Sequence, residues 1–232
     1  MLLALLALFG QVQGPIYEPM DDHDPNGIGI SYMGREIAQV MGHEGAWWLD
    51  RPERFVEEAP QLLLEALELK PGMNVADIGC GTGYLSFPMA RKVGPKGKVY
   101  AEEIQDEMLT IVKAKSKQYK IDNVVPWLGT TTDPKLPAKT IDLILLVDVY
   151  HEFDKPYEMT AGMLKSLKDG GRIVFVEYRK EDPRVPIKEV HKMSEAQMKK
   201  EMAIWPLKFV KNDKRLPRQH ILIFQKQPEP KG

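Results

Sequence analysis

Between residues 74 and 204, short apolar runs alternate with segments whose apolar residues recur at helical spacing. The runs predict buried strands, and the periodic segments predict helices between them. Strands are predicted at 74–78, 98–101, 124–128, 141–147 and 172–178, and helices at 84–93, 105–117, 156–167 and 194–204. The last helix begins with an S-x-x-Q capping box, Ser194 to Gln197. This alternation indicates a parallel sheet covered by helices on both faces.

The end of the chain predicts an antiparallel hairpin. Two further strands are predicted at 207–211 and 220–225, around a turn that contains Asn212, Asp213 and Pro217. Added to the five parallel strands, this pair gives a doubly wound, seven-stranded α/β sheet. We assign this domain to residues 70–228.

The region before the sheet is predicted to be a linker followed by helices. Residues 15–30 are rich in proline, aspartate and glycine, which is typical of an irregular linker. Apolar spacing predicts helices over 31–41 and 52–69, so that 31–69 forms a helical extension. Trp47 and Trp48 lie in a predicted loop between these helices. The aromatic pair is either a lid over a site or, as we favour, an anchor for the helices on the core.

The first 14 residues have two interpretations. Residues 1–9 are almost entirely apolar, and Val12 and Gly14 suit the small-residue positions of a signal-peptidase site. The positive charge that normally precedes such a run is missing, and the run is shorter than the ~20 residues that span a bilayer. Residues 1–14 are either a signal peptide or an apolar segment that packs on the domain. The protein is accordingly cytoplasmic or exported, and we expect no membrane span.

Composition argues against several partners. The 232 residues contain 32 lysines and arginines against 33 acidic residues, a net charge of -1, so no overall positive field would attract nucleic acid. The single cysteine, Cys80, cannot form an intramolecular disulfide. The five histidines show none of the usual metal-motif spacings, so the sequence predicts no metal site.

The first predicted strand ends in a glycine-rich turn, D-I-G-C-G-T-G at 77–83. Glycines at 79, 81 and 83 let the backbone approach a ligand where a Cβ would clash. A dinucleotide fingerprint needs its third glycine one residue later than residue 83. The turn therefore predicts a nucleoside-type cofactor without a diphosphate cradle.

This turn resembles motif I of the class I S-adenosylmethionine-dependent methyltransferases. The resemblance covers about residues 45–226 and implies a Rossmann-like fold with S-adenosyl-L-methionine as cofactor. It implies that Asp77 helps to hold the methionyl ammonium, directly or through water. It also implies that Gly79, Cys80, Gly81 and Gly83 surround the amino-acid end of the cofactor.

Two acidic residues, Glu102 and Glu103, follow the second predicted strand. A carboxylate at this place accepts hydrogen bonds from the ribose hydroxyls, and two acids would repel a 2′-phosphate, which disfavours NADP. The resemblance assigns the ribose to Glu103 and the adenine to Ile104. The choice between the two neighbouring acids stays open.

The ends of the third and fourth strands complete the predicted cofactor site. The resemblance assigns Gly129 and Thr130 to the adenine edge, and Val147 to the cofactor at the end of the fourth strand. The family commonly has an acid directly after the glycine, where this chain has Thr130. Asp133 either replaces that acid or caps the turn.

The fourth strand continues into D-V-Y-H-E-F at 148–153. This is similar to the D-x-x-H segment of methyltransferases related to the quinone C-methyltransferases and the arsenite methyltransferases. Arsenite chemistry needs several thiolates, so a chain with one cysteine does not belong to that group. His151 titrates in the range useful for a base, and Tyr150 would line the acceptor pocket, so both are predicted catalytic residues. Alternatively, His151 satisfies backbone groups at the turn.

Together these observations predict a methyltransferase that acts on a small molecule, because the sequence shows no added RNA-binding or protein-docking module. Two alternatives stay open. One is an NAD-dependent oxidoreductase on a similar fold. The other is a non-catalytic, envelope-associated cofactor-binding protein, suggested by the apolar N-terminus.

Overall fold

A small three-stranded antiparallel sheet precedes the main domain. The computed structural model describes residues 17–228. The strands are β1 (Tyr17–Pro19), β2 (Gly27–Tyr32) and β3 (Arg35–Ala38), in the order β1-β2-β3. The predicted linker over 15–30 and the predicted helix over 31–41 are therefore wrong. The predictions for residues 1–14 lie outside the described residues.

The hairpin of β2 and β3 explains why the helix prediction failed. Met33 and Gly34 form its turn with φ of +51° and +82°. A two-residue hairpin turn favours such positive φ values, and glycine adopts them readily. Tyr32 and Ile37, one on each strand, are almost fully buried. Packing of these side chains outweighs the helical spacing of the apolar residues in the same segment.

Three short helices follow the hairpin: α1 (Ala46–Leu49), α2 (Arg54–Glu58) and α3 (Pro60–Ala66). The single helix predicted over 52–69 is split at Ala59, which has φ +46° and precedes Pro60. Proline disfavours helical backbone in the preceding residue and has no N–H to donate. The predicted helical extension over 31–69 is thus part sheet and part short helices.

The tryptophan pair lies in α1 instead of a loop. Trp47 is 71% exposed and Trp48 is 42% exposed, so the preferred interpretation, an anchor buried on the core, is wrong. The two rings contact each other edge to face, with centroids 5.8 Å apart.

The remaining elements follow the predicted order of strands and helices. They are β4 (Asn74–Ile78), α4 (Ser86–Val93), β5 (Lys98–Glu103), α5 (Asp106–Tyr119), β6 (Val124–Leu128), β7 (Ile141–Val147), α6 (Pro156–Ser166), β8 (Leu167–Tyr178), α7 (Glu195–Met202), β9 (Leu207–Asp213) and β10 (Gln219–Lys226). The capping box is confirmed, because Ser194 Oγ accepts a hydrogen bond from the Gln197 backbone N–H at 3.1 Å. Within residues 17–228, no helix has the length and apolarity needed to cross a bilayer.

The main sheet has seven strands in the order β6-β5-β4-β7-β8-β10-β9. β4 pairs in parallel with β5 and β7, whereas β10 is antiparallel to β8 and β9. This confirms the predicted doubly wound, seven-stranded Rossmann-like sheet with its C-terminal hairpin. The strand order reverses between β4 and β7. In open α/β sheets, ligands bind beyond the carboxyl ends of the strands at this switch point.

Two apolar layers cover the faces of the sheet. The layer beneath α4 and α5 includes Phe87, Leu109 and Leu143, and the layer beneath α6 and α7 includes Ile144 and Met163. Neighbouring residues of β7 therefore enter opposite layers, as the two-residue repeat of a strand requires. A strand buried on both faces explains the nearly continuous apolar runs in the sequence.

A buried ion pair joins the N-terminal hairpin to the main domain. Arg35 of β3 donates from Nε and Nη2 to the two carboxylate oxygens of Glu201 in α7, at 2.8 and 3.1 Å. Its Nη1 donates to the backbone oxygen of His151 at 3.3 Å. Both charged side chains are buried. Arg35 thus positions the hairpin against the loop that follows β7.

Loss of one partner of this pair should destabilise the fold. In Arg35→Met, the Glu201 carboxylate stays buried without its charged donors, which typically costs about 3–5 kcal/mol. We expect the Tm to fall by roughly 10 °C in a thermal melt followed by circular dichroism. The double variant Arg35→Met/Glu201→Leu removes both charges and should recover most of the loss. A double variant as unstable as Arg35→Met would contradict this account.

Candidate active site

A cavity of about 640 Å³ opens at the carboxyl ends of β4, β5 and β7. This volume lies in the usual range for small-molecule sites. The cavity is lined by the glycine turn after β4, the acids that end β5, the loop after β7, and part of the N-terminal region. It therefore occupies the switch point where this kind of sheet binds a ligand.

The glycine turn brings bare backbone to the cavity. Gly79 and Gly81 line it, with φ of +62° and +52°. A Cβ on Gly79 would lie 2.3 Å from Cγ2 of Val149, and a Cβ on Gly81 would lie 2.4 Å from Cδ1 of Leu49. Glycine satisfies both the backbone conformation and the close packing at these positions.

Cys80 and Gly83 belong to the same turn but do not line the cavity. The Cys80 backbone N–H donates to the Glu102 backbone oxygen at 2.9 Å. A Cβ on Gly83 would lie 2.9 Å from the Phe87 ring. Burial raises the pKa of the Cys80 thiol, so the thiol stays protonated and weakly nucleophilic. These two residues shape the turn.

Asp77 lies beneath the turn and does not line the cavity. Ser86, the first residue of α4, donates from Oγ to Asp77 Oδ2 at 2.5 Å. Burial raises the pKa of Asp77 to about 6, while the hydrogen bond from Ser86 acts in the opposite direction. Asp77 therefore joins the turn to α4, and its contact with a cofactor stays a prediction.

Glu103 lines the cavity in a fixed orientation. Its carboxylate accepts hydrogen bonds from three backbone N–H groups, those of Gly81 at 3.1 Å, Ile104 at 2.7 Å and Gln105 at 3.1 Å. Burial nevertheless raises the pKa of Glu103, and these three bonds oppose that rise. Ile104 lies beside it in the cavity wall.

Glu102 also lines the cavity, but its hydrogen bonding is incomplete. Its Oε2 accepts from the Gly79 backbone N–H at 3.3 Å, whereas its Oε1 is buried with no partner among the described residues. Burial raises the pKa of Glu102 to about 8, so the carboxyl is mostly protonated at neutral pH. A protonated carboxyl can donate a hydrogen bond as well as accept one.

The loop after β6 packs against Glu102. A Cβ on Gly129 would lie 1.7 Å from Glu102 Oε1, so any larger residue at 129 would displace this acid. Thr130 lines the cavity, and its Oγ1 accepts from the Asp133 backbone N–H at 3.0 Å. Asp133 Oδ1 accepts from the Lys135 backbone N–H at 2.7 Å. Of the two roles predicted for Asp133, the structure shows that it caps the turn.

At the end of β7 and in the loop after it, some side chains face the cavity and others face the core. Val147 lines the cavity, whereas Tyr150 is fully buried below it. The Tyr150 ring packs on Phe153 and Phe175, with centroids 5.5 and 5.0 Å away. The prediction that Tyr150 lines the acceptor pocket is therefore contradicted, because the 3-10 turn at Tyr150–Glu152 directs this ring into the core.

His151 lies in the cavity wall and is held by a buried carboxylate. Glu177 of β8 accepts from His151 Nδ1 at 2.5 Å and, through its other oxygen, from the Tyr150 backbone N–H at 3.0 Å. Burial lowers the pKa of His151, but the Glu177 carboxylate outweighs this effect and the pKa lies above its ordinary value. The ring contacts side chains, contrary to the alternative in which it satisfies backbone groups.

His191 completes this end of the cavity, and no sequence pattern assigned it to the site. It follows His151 by 40 residues, yet its Nδ1 lies 3.1 Å from His151 Nε2. Its Nδ1 also lies 3.5 Å from Glu152 Oε1. A parallel bridge between Arg179 and Met193 lays the His191 segment beside the end of β8. The histidines therefore meet only because the sheet brings their loops together.

Two arginines before the sheet were also not predicted. Arg51 and Arg54 line the cavity, and both bind Glu58, with shortest N···O distances of 3.3 and 2.7 Å. The Arg51 guanidinium lies 3.7 Å from the centre of the Trp48 ring, which lines the cavity as well. Arg51 also binds Glu57 at 2.7 Å, so the group adds guanidinium N–H donors and an aromatic surface to the wall, with its charge balanced by the two glutamates.

Comparison with protein families identifies the domain. A family model described as a methyltransferase domain matches residues 69–224, about two thirds of the chain. The chain belongs to this methyltransferase family. The match confirms the family that the glycine turn predicted.

Curated relatives of this methyltransferase match it over part of their length. Nocamycin O-methyltransferase from Saccharothrix syringae is 29% identical over 119 residues, which are 51% of this chain and 42% of the relative. The ubiquinone/menaquinone biosynthesis C-methyltransferase of Shewanella piezotolerans is 29% identical over 118 residues, 50% of this chain and 47% of the relative. The matches thus cover less than half of either relative.

Solved structures share the fold of the methyltransferase. A SAM-dependent methyltransferase from Aquifex aeolicus superposes with a TM-score of 0.75 at 22% identity, covering 80% of this chain and 99% of that one. A SAM-dependent O-methyltransferase from Thermotoga maritima has a TM-score of 0.55 at 17% identity, covering 82% of this chain and 72% of that one. At these identities the likeness concerns the fold.

Replacement of Glu102 by glutamine should change how stability depends on pH. The folded protein binds the Glu102 proton with a pKa of about 8, against an ordinary value of 4.5. The resulting stabilisation is complete below the ordinary pKa and is lost as the pH rises through 8. Glu102→Gln has no such proton to lose. Between pH 5 and 8, the Tm of the wild type should therefore fall by roughly 5 °C more than that of Glu102→Gln.

Differential scanning calorimetry at the two pH values measures this effect. Glu107→Gln, which removes an exposed acid of α5, is the matched control and should follow the wild type. If the Tm of Glu102→Gln changes with pH as much as that of the wild type, Glu102 is not the buried proton-binding group.

Proposed function

We propose that this methyltransferase transfers a methyl group from S-adenosyl-L-methionine to a small-molecule acceptor. The observation that carries the proposal is a single cavity lined by the glycine turn and the acids of β5, and also by His151 and His191. Methyl transfer needs the donor and the acceptor aligned in one site that limits access of water. S-adenosyl-L-methionine supplies an activated methyl carbon on a sulfonium, and the protein supplies position.

The described residues fit the methyl donor. Gly79 and Gly81 line the cavity without side chains, which suits the amino-acid end of the cofactor. The fixed Glu103 carboxylate accepts from the ribose hydroxyls, and Ile104 provides an apolar surface for the adenine. The Arg54 guanidinium, in the same cavity, provides a positive charge for the donor carboxylate.

The acceptor occupies the other end of the cavity. His151 is fixed through Nδ1 by Glu177, so its Nε2 is the nitrogen that faces His191 and the cavity. We propose that His151 lowers the free energy needed to remove a proton from the acceptor. Phe153 and Ile187 line the same cavity and provide apolar contacts for a small molecule.

The proposed activity is tested by methyl incorporation. The purified full chain is incubated with methyl-labelled S-adenosyl-L-methionine and a metabolite extract, and labelled products are separated by mass spectrometry. We expect labelled small molecules that disappear when the cofactor analogue sinefungin is added. A chain that binds NAD in a thermal-shift assay but not S-adenosyl-L-methionine would instead support the oxidoreductase alternative.

Substitution of the two β5 acids should separate their roles in donor binding. Glu103→Gln replaces a charged acceptor of ribose hydroxyl hydrogens by a neutral amide, so we expect the Kd for S-adenosyl-L-methionine to rise roughly 10-fold or more. Glu102→Gln should change the Kd less than roughly threefold, because the native side chain is already protonated. Isothermal titration calorimetry measures both values, with Glu107→Gln as control. The reverse order of effects would assign the ribose to Glu102.

A further inference from the structure

Three side chains at the acceptor end of the cavity converge as metal ligands do. Nε2 of His151, Nδ1 of His191 and Oε1 of Glu152 all lie within 4.8 Å of one another. The two nitrogens are 3.1 Å apart, and the oxygen lies 3.9 Å from His151 Nε2 and 3.5 Å from His191 Nδ1. The point equidistant from the three atoms lies ~2 Å from each, which matches the length of a zinc–nitrogen or zinc–oxygen bond.

The surroundings of His151 prepare its Nε2 to bind a cation. Glu177 binds Nδ1 at 2.5 Å, so in the neutral ring the proton lies on Nδ1, facing the carboxylate, and the lone pair lies on Nε2. Metal-binding imidazoles usually show this arrangement, in which a carboxylate holds the second ring nitrogen. Glu177 is itself fully buried and is held by the Tyr150 N–H. The orientation of the ring is therefore set by Glu177.

The other two groups are placed by separate contacts. Glu152 Oε2 accepts from the Met41 backbone N–H at 3.3 Å, which leaves Oε1 beside the nitrogens. His191 lies on the segment that is bridged to the end of β8. The side chains of His151, Glu152 and His191 are 2%, 13% and 20% exposed, and all three line the cavity. An ion at their centre would be largely shielded but reachable from the cavity.

We propose that His151, Glu152 and His191 bind one divalent transition-metal ion, and that this ion binds an oxygen atom of the methyl acceptor. Two imidazole nitrogens favour ions such as zinc and iron over magnesium and calcium, which prefer oxygen ligands. Three protein ligands leave a coordination position open to the cavity, as catalytic metal sites do. The acceptor class is therefore a small molecule with a hydroxyl group, and the reaction is an O-methylation.

The proposed metal site rests on the methyl transfer proposed above, and it specifies the chemical class of the acceptor. A bound ion stabilises the oxyanion of the acceptor. The acceptor hydroxyl therefore loses its proton more readily than it would with an imidazole alone as the base. The proton passes to water, and the oxygen forms its bond to the methyl carbon. The carbon–sulfur bond breaks at the same time, with its electron pair remaining on sulfur. This proposal departs from the sequence-based prediction of no metal site.

Metal binding is measured without donor or acceptor. The full chain is treated with chelator and titrated with Co²⁺, whose visible absorption increases when it leaves water for a site with four or five ligands, and the Co²⁺ is then displaced with Zn²⁺. We expect one Co²⁺ per chain. His151→Asn and His191→Asn should each weaken Zn²⁺ binding at least ~10-fold. His43→Asn is the matched control, since it removes a histidine that does not line the cavity, and it should bind as the wild type does.

The proposal is overturned if the wild type gives no more Co²⁺ absorption than His191→Asn, or if His43→Asn loses as much. Calorimetric binding of S-adenosyl-L-methionine to His191→Asn reports folding and the donor site, and it should equal that of the wild type. A wild type that binds the cofactor but no metal refutes the metal site alone. A wild type that binds metal but no cofactor supports the metal site and refutes the proposed methyl transfer.

Discussion

The end of the cavity that carries His151 depends on one buried carboxylate, that of Glu177. The sheet register pairs Val147 with Val176, so Glu177 lies one position beyond the paired end of β7. From there its two oxygens hold the Tyr150 backbone and the His151 ring. A buried carboxylate needs such partners, because burial without them costs several kcal/mol. The need to satisfy Glu177 thus fixes the loop that carries His151.

At the end of the cavity proposed for the methyl donor, three acidic side chains lie close together. Asp77, Glu102 and Glu103 lie around one glycine turn, and burial raises the pKa of each. The protein limits the repulsion in two ways: backbone N–H groups surround Glu103, while Glu102 keeps its proton. A ligand that brings hydroxyl and ammonium donors would complement this surface. The same acids whose burial costs stability therefore suit the proposed methyl donor.

The sequence predicted the main sheet and the place of the glycine turn and of the β5 acids beside the cavity, because these depend on local patterns, whereas Asp77, Cys80 and Gly83 lie outside the cavity lining. Strands buried on both faces produce continuous apolar runs, and D-I-G-C-G-T-G is a contiguous motif. The N-terminal hairpin was missed because Met33 and Ile37 happen to have helical spacing, and only tertiary packing selects the hairpin. Tyr150 was misplaced because residues in a 3-10 turn do not alternate predictably between core and cavity. His191 is joined to His151 by the fold alone, through a bridge between distant segments.

The Arg35–Glu201 pair joins residues on both sides of the point where the family match begins. The family match begins at residue 69, after the hairpin and the three short helices. A fragment cut there would keep the glycine turn, yet it would lose Trp48, Leu49 and Arg54 from the cavity wall. It would also leave Glu201 without its cationic partner. The residues that the family model matches are therefore fewer than those that build the cavity wall, and the segment before residue 69 supplies the difference.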